Sequence, residues 1–221
     1  NNIINRYNEQ IKISQSGSET SALIAKLDMV PKNRFNVYMN YRWFMVPGIL
    51  AILVTMVGGF LTALNIVKEK EIGTIEQINV TPIKRRHFIL GKLLPFWILG
   101  LFVFSVGMLV SYLVYGIVPS GSLLVLYVYV AIYLLAVLGL GLLVSTYSDT
   151  QQQAMFIMFF FMMVFILMGG LFTPIESMPD WAIVVSKFNP MSYFIQVMRM
   201  VILKGSSFVH IQSQLFITAL F

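Results

Sequence analysis

The sequence contains no cysteine, and charged residues make up only 11% of its 221 residues. The absence of cysteine excludes disulfide bonds, thiolate metal sites and cysteine nucleophiles. The two histidines, His87 and His210, lie too far apart in sequence to suggest a local metal motif. We therefore expect neither a metal site nor a catalytic centre in this chain.

Apolar side chains are abundant instead. Hydrophobic residues make up 58% of the sequence, and its mean hydropathy is +0.82, whereas a soluble domain is about 45–50% apolar and about a quarter charged. The net charge of +6 does not indicate nucleic acid, because much of the positive charge lies in one loop between apolar segments. The composition predicts an all-α polytopic membrane protein surrounded by a lipid bilayer.

Five apolar segments are candidates for membrane-spanning helices. About 20 helical residues at 1.5 Å each cross the hydrocarbon core of about 30 Å. Pro47 suits the first turn of the first of these helices, where a missing N–H is tolerated. The predicted spans are residues 47–67, 93–118, 123–145, 154–172 and 208–221. The sequence begins without Met and ends inside the last apolar run, so we expect it to belong to a longer chain.

The N-terminal residues 1–42 are polar and mixed, and residues 35–41 alternate in the manner of a strand. We interpret them as the tail of an extracytoplasmic α/β domain. A disordered terminus is the alternative, although the segment shows few of the low-hydrophobicity signs of disorder. The remaining residues, 43–221, form the predicted transmembrane domain.

A polar loop, residues 68–92, separates the first two predicted spans. Its basic excess places it in the cytoplasm by the positive-inside rule. Three glutamates and the isoleucines Ile72, Ile75 and Ile78 follow a helical period, which predicts a short amphipathic helix over residues 69–78. Gly73 inside this helix costs about 1 kcal/mol relative to Ala, so the helix needs a partner surface. An ordinary inner loop would explain the basic residues but not the acidic residues and the isoleucine stripe.

The first predicted span has small residues at every fourth position. Such a face allows a second helix to approach closely, and chance recurrence is the alternative. The four residues are Ala51, Thr55, Gly59 and Ala63.

Residues 173–207 form a second polar stretch, on the outer side. It contains two predicted helices, 180–188 and 191–203, which are separated by Asn189-Pro190 and stopped at Gly205. Both helices are more apolar than a surface loop requires. We interpret the pair as a re-entrant hairpin covered by protein, and a simple outer loop remains the alternative.

The predicted spans contain no Asp, Glu, Lys or Arg. Proton-coupled transporters usually carry ionisable residues inside the membrane, so a secondary antiporter is disfavoured. The Met- and Phe-rich fourth span suits a lipophilic or amphipathic substrate, because Met adapts to varied shapes; its side chains could instead face lipid. The candidate pathway residues are Thr55, Thr62, Phe159, Met162 and Phe165.

Three motifs resemble one known family. The segment KEKEIGTIEQINVTPIKRRHFILGK, residues 68–92, resembles the E-x-G-T-x-E-x-(L/I)-x-V-T-P-I…GK signature of bacterial ABC type-2 exporter permeases. WFMVPG, residues 43–48, resembles the start of their second span. PIESMPDW, residues 174–181, followed by NPMSY, Arg199 and Lys204-Gly205, is similar to their outer re-entrant segment.

The resemblance implies a multidrug-type permease of six spans in the bacterial inner membrane, with the first span and much of the outer domain outside this sequence. Two such subunits, identical or paralogous, would pair, with or without a periplasmic adaptor. The resemblance also implies that each would bind a cytoplasmic ATPase subunit that holds ATP and Mg. This sequence itself lacks the G-x-x-x-x-G-K-[ST] phosphate loop of an ATPase. The chain would then have no enzymatic activity of its own.

The resemblance also implies that residues 71–78 form the coupling helix, which seats in a groove of the ATPase. The coupling residues would be Glu69, Glu71, Gly73, Thr74, Glu76, Thr81 and Pro82. Two other classes remain open: a secondary transporter or channel without an ATPase partner, and a membrane-embedded enzyme. The second of these requires a cluster of His, Asp, Glu or Cys at one depth, which the sequence does not suggest.

Overall fold

The structure is a computed structural model that describes residues 41–74, 84–173 and 175–221, except for the side chains of Arg85 and Glu176. Within these ranges the chain forms α-helices and one short 3-10 turn, and no strand. The all-α polytopic fold is thereby confirmed. The predicted outer domain lies outside the described residues, apart from its last two residues, Tyr41 and Arg42, which are helical.

Four helices are long and apolar enough to cross a membrane, and the last helix is shorter. In chain order the elements are α1 (Tyr41–Ile72), α2 (Arg85–Tyr115), α3 (Leu123–Tyr147), α4 (Gln151–Met168), a 3-10 turn (Ile175–Ser177), α5 (Asp180–Lys187), α6 (Pro190–Lys204) and α7 (Phe208–Leu220).

The long helices extend beyond the predicted spans. The prediction that Pro47 lies in the first turn is wrong, because α1 begins at Tyr41 and contains Pro47 in its interior. The 32 residues of α1 measure about 48 Å at 1.5 Å per residue, which exceeds the hydrocarbon thickness of about 30 Å. Apolar runs therefore indicate the part of each helix that lipid surrounds, whereas polar residues extend the helix at its ends. By contrast α4 stops at Met168, short of the predicted Phe172, before Gly170 with φ of 74°.

The core lies where α1, α3 and α6 meet. Tyr129 and Tyr133 of α3 are fully buried there. The Tyr133 hydroxyl lies 2.6 Å from the Thr55 Oγ1 of α1, and the Tyr129 hydroxyl lies 2.7 Å from the Thr218 Oγ1 of α7. The ring of Phe194 from α6 lies 4.2 Å from the Tyr133 ring, centroid to centroid. Both buried hydroxyls are thus satisfied within an aromatic core that joins four helices.

The small face of α1 lies inside the bundle. Its four residues, Ala51, Thr55, Gly59 and Ala63, are all buried. A Cβ added to Gly141 of α3 would lie 2.8 Å from the Gly59 carbonyl oxygen. The backbones of α1 and α3 therefore approach so closely that the contact leaves no room for a side chain.

Helices α5 and α6 form a hairpin that packs into the bundle. Asn189, between them, accepts from the Met191 N–H at 3.0 Å and donates from Nδ2 to the Phe165 carbonyl of α4 at 2.9 Å. The contact of Phe194 with Tyr133 lies ten residues into α3, about 15 Å from the start of that helix. Gly205, with φ of 64°, ends α6 as predicted.

The turn between α2 and α3 is hydrogen-bonded to the end of α6. The Ser120 and Gly121 N–H groups donate to the Ile202 and Val201 carbonyls, each at 3.1 Å. A Cβ on Gly121 would lie 2.9 Å from the Val201 carbonyl oxygen, so the two backbones are in contact. We call this contact the outer clasp.

Candidate functional site

The ends of four helices meet at one end of the bundle. Helices α1 and α3 finish there, and α2 and α4 begin there. Three consecutive residues in the last turn of α1, Glu69, Lys70 and Glu71, each contact a different neighbouring helix or its end. We call these three residues and their partners the inner junction.

Glu69 joins α1 to α2. Its Oε1 forms an ion pair with the Lys92 Nζ, which also donates to the Asn65 Oδ1 at 3.4 Å. The two charged side chains are 21% and 31% exposed, so solvent screens the pair less than it screens a pair on an open surface. Charge and hydrogen bonding together connect these two helices where they leave the membrane-length core.

Lys70 joins α1 to the end of α3. Its Nζ donates to the carbonyls of Ser148 at 2.7 Å, Ser145 at 3.1 Å and Thr146 at 3.3 Å. The last carbonyls of a helix lack intrahelical donors and carry the negative end of the helix dipole. A lysine is therefore well matched to this position. The Asp149 carboxylate, 3.7 Å away, adds a more exposed ion pair.

Glu71 joins α1 to the start of α4. Its Oε2 accepts from the Gln151 Nε2 at 2.9 Å and from the Gln151 N–H at 3.2 Å. The N-terminus of a helix favours an anion, because its first N–H groups are unpaired and carry positive partial charge. The hydrogen bonds from the Gln151 side chain and backbone hold the pKa of Glu71 below its usual value of 4.5.

Gly73 separates the inner junction from the loop that follows. It has φ of 81°, and its N–H donates to the Lys70 carbonyl at 3.1 Å. The next residue, Thr74, donates from Oγ1 to the Glu69 carbonyl at 3.1 Å. A single helix over residues 69–78 is therefore wrong at Gly73: Glu69, Glu71 and Ile72 belong to α1. The positive φ favours glycine, since a Cβ is strained there.

The remaining coupling candidates, Glu76, Thr81 and Pro82, lie outside the described residues, as do most of the predicted amphipathic helix and its Ile75 and Ile78. Of the seven coupling candidates, the structure brings Glu69 and Glu71 together in the inner junction with Gly73 and Thr74 beside them. Sequence reasoning missed Lys70, Lys92 and Gln151 as junction residues. The only sequence signal for Lys70 was a basic residue following a membrane-length run.

The five pathway candidates are scattered through the bundle. Thr55 is buried and hydrogen-bonded in the core, and Met162 is buried. Thr62 is also buried, and its hydroxyl has no hydrogen-bond partner among the described residues. Phe159 is 57% exposed. None of them, Phe165 included, lines the two cavities noted in the described part of the chain. Their role in a pathway stays a prediction.

Those two cavities lie elsewhere. One, of about 390 Å³, is an apolar groove between α1 and α2 that includes Leu50, Val106 and Ser111. The other, of about 630 Å³, lies at the end of the bundle opposite the inner junction; its lining includes Phe44, Ile183, Gln196 and Arg199. We call the second the outer cavity.

A model of the family described as "ABC-2 family transporter protein" matches residues 1–221. The chain belongs to this family. It is 34% identical over 180 residues to the "Probable multidrug ABC transporter permease YbhR" of Escherichia coli K12, covering 81% of this chain and 49% of YbhR. The resemblance noted in the motifs is thus confirmed.

Other relatives carry similar names. The chain is 33% identical to the "Probable multidrug ABC transporter permease YbhS" of the same organism, over 81% of this chain and 48% of YbhS. It is 23% identical to the "Linearmycin resistance permease protein LnrN" of Bacillus subtilis, over 72% of this chain and 40% of LnrN. The chain spans about half the length of the curated relatives it matches first. No solved structure matches it.

Proposed function

We propose that this ABC-2 family chain forms the transmembrane part of an exporter permease in the bacterial inner membrane. ATP hydrolysis in a separate cytoplasmic subunit, which would hold ATP and Mg, drives export of a lipophilic or amphipathic molecule. The permease pairs with a second copy or a paralogue. The observation that carries this proposal is the inner junction, in which three residues before the loop contact three other helices.

The inner junction gives a physical route for the motion. A force on the loop after Gly73 acts first on the last turn of α1. The ion pair of Glu69 with Lys92, the bonds of Lys70 to the α3 carbonyls, and the bonds of Glu71 to Gln151 then pass it to three helices at once. Packed helices move as rigid bodies, so the end of the bundle would tilt as a unit.

The outer hairpin would close the opposite side. Its contact with Tyr133, about 15 Å along α3, supports the re-entrant interpretation, because a surface loop would not reach that depth. The Met- and Phe-rich surface of α4, with Met155, Phe156 and Phe159 exposed, suits contact with lipid or with a lipophilic substrate.

The test is a coupling measurement on the assembled transporter in proteoliposomes. Glu69→Gln leaves Lys92 without its counter-charge, and we expect export per ATP hydrolysed to fall while the ATPase subunit remains bound. The exchange of charges in Glu69→Lys with Lys92→Glu should restore part of the coupling. Lys68→Gln is the matched control, because Lys68 is an exposed neighbour.

Normal coupling in Glu69→Gln would show that the junction does not transmit the motion. A secondary transporter or channel is the alternative class. Affinity purification of the tagged protein separates the two classes, since the permease should retain an ATPase chain and a secondary transporter should not.

A further inference from the structure

We propose that the outer cavity binds the phosphate of an outer-leaflet lipid headgroup through Arg199. This inference uses only the geometry of the cavity and the side of the membrane that it faces, so it does not depend on the coupling proposal. The lipid would be a bound component of the hairpin, with its phosphate on the guanidinium and its chains along the apolar walls.

The position of Arg199 places it at the membrane boundary. It lies on α6, two residues before Val201, whose carbonyl accepts from the turn between α2 and α3. That turn marks the outer end of both helices. The headgroup layer begins at this level, because about 30 Å of hydrocarbon lies within a bilayer of about 40–45 Å.

Arg199 is only partly paired. Its Nη1 donates to the Gly170 carbonyl at 3.1 Å, and its guanidinium carbon lies 3.6 Å from the centre of the Phe44 ring. These two contacts fix the orientation of the guanidinium plane. The Nε and Nη2 atoms are buried and have no hydrogen-bond partner among the residues that the structure describes.

The unpaired atoms form one recognition edge. The Nε and Nη2 N–H groups of a guanidinium are parallel, and together they match two oxygens of a phosphate. Burying charged donors without partners is costly, so an anion at this edge would lower the free energy of the hairpin. Arg199 is the one charged residue among those that line the outer cavity in the described part of the chain.

The walls favour an amphiphile over a free ion. Phe44, Ile175 and Ile183 are apolar, and Gln196 adds one amide beside the guanidinium. A volume of about 630 Å³ lies within the range of about 300–1,000 Å³ typical of small-molecule sites. A bare phosphate would leave most of this volume and the apolar walls unoccupied.

The experiment measures lipid-dependent stability of the assembled transporter in a neutral detergent. The probes are phosphatidylglycerol, diacylglycerol with the same chains, and inorganic phosphate. A ligand that binds the folded state raises the unfolding temperature with its concentration. We expect phosphatidylglycerol to give the largest shift.

Substitutions of Arg199 test whether this residue binds the lipid phosphate. Arg199→Gln should weaken the apparent affinity for phosphatidylglycerol by at least about tenfold, and Arg199→Lys by less, because Lys offers a point charge without the bidentate edge. Lys187→Gln is the matched control, since Lys187 is an exposed cation at the end of α5 in the same hairpin. Each variant is compared with itself without lipid, so a general loss of stability cancels.

Three results would overturn the proposal. The first is an Arg199→Gln variant that responds to phosphatidylglycerol as the parent does. The second is an equal response of the parent to diacylglycerol or to inorganic phosphate. The third is a loss of the response in Lys187→Gln as large as the loss in Arg199→Gln.

Discussion

The two ends of the bundle differ in how fully their charged side chains are paired. At the inner junction Glu69, Lys70 and Glu71 each have a partner on a neighbouring helix or at its end, although the second Glu69 carboxylate oxygen, Oε2, has none among the described residues. At the outer end, aromatic and aliphatic contacts hold the hairpin, and two buried nitrogen atoms of Arg199 have no hydrogen-bond partner within the described ranges. Paired charges would suit the proposed transmission of force, and a partly paired cation would suit the proposed binding of a lipid phosphate.

The largest effect should come from the outer hairpin. Phe194→Ala removes a fully buried ring that packs against the ring of Tyr133, and we expect a loss of about 3–5 kcal/mol in the free energy of unfolding. The loss should not depend on salt. Titration with a denaturing detergent at low and high salt measures it.

Phe216→Ala is the control for this change, because Phe216 is 72% exposed on α7. It should alter stability by no more than about 0.5 kcal/mol. Equal losses in the two variants would mean that the hairpin is not anchored by its buried aromatic ring.

The second effect belongs to the inner junction. Lys70→Met removes three hydrogen bonds to the carbonyls at the end of α3, and we expect a loss of about 1–2 kcal/mol, reduced by partial exposure to solvent. High salt should shrink the difference between this variant and the parent. The same detergent titration provides the measurement.

Lys68→Met serves as the matched control for Lys70→Met, since it deletes the same charge on an exposed face of the same helix. A salt-independent loss in Lys70→Met, or an equal loss in Lys68→Met, would remove the contrast between the two ends of the bundle.

Gly73→Ala should have a smaller effect. A Cβ at φ of 81° is strained, although no described residue lies within 4 Å of it, so we expect a loss of about 1 kcal/mol. Gly91→Ala is the control, because Gly91 lies inside α2 and a Cβ there would meet no atom of the described part of the chain within 4 Å. Ala at this position should stabilise the fold by up to about 1 kcal/mol. Thermal unfolding of both variants tests the pair, and a loss in both would mean that backbone conformation is not the cause.

The smallest effect concerns pH. The pKa of Glu71 is lowered by its bonds to Gln151, so these bonds stabilise the fold above the usual pKa of 4.5, and the stabilisation is lost as pH falls through the lowered value. Glu71→Gln keeps an acceptor oxygen but does not titrate. The parent should therefore lose more stability than this variant between neutral and acid pH, as read from unfolding temperatures; identical pH profiles would contradict the assignment.

Much of this fold was predictable from local patterns. Apolar runs indicate where helices cross, and Gly205 and Asn189-Pro190 mark breaks that the structure contains. Helix ends were less predictable, because the polar residues Lys68 to Glu71 continue α1 beyond its apolar run. The helix is stabilised there by partners that are distant in sequence.

The pairings across the bundle could not be predicted. The contacts of Thr55 with Tyr133 and of Lys70 with Ser148 each join residues 78 positions apart. Sequence periodicity reports only on neighbours within one helix, so it does not predict such contacts. The unpaired edge of Arg199 was hidden for the same reason, since a single sequence shows the arginine but not the missing acceptor. The sequence therefore predicted which segments contain the candidate site, but it did not predict the contacts between their side chains.

The outer clasp has a consequence for how movement crosses the membrane. Because the turn after α2 is bonded to the end of α6, the return limb of the hairpin cannot shift without that turn. If the inner junction transmits motion as proposed, α2 would receive it at Lys92 and carry it as a rigid rod to this turn, where the helix ends. A lipid bound beside Arg199, two residues before Val201, would then lie at the outer end of α2, and a movement of this helix would displace the lipid site.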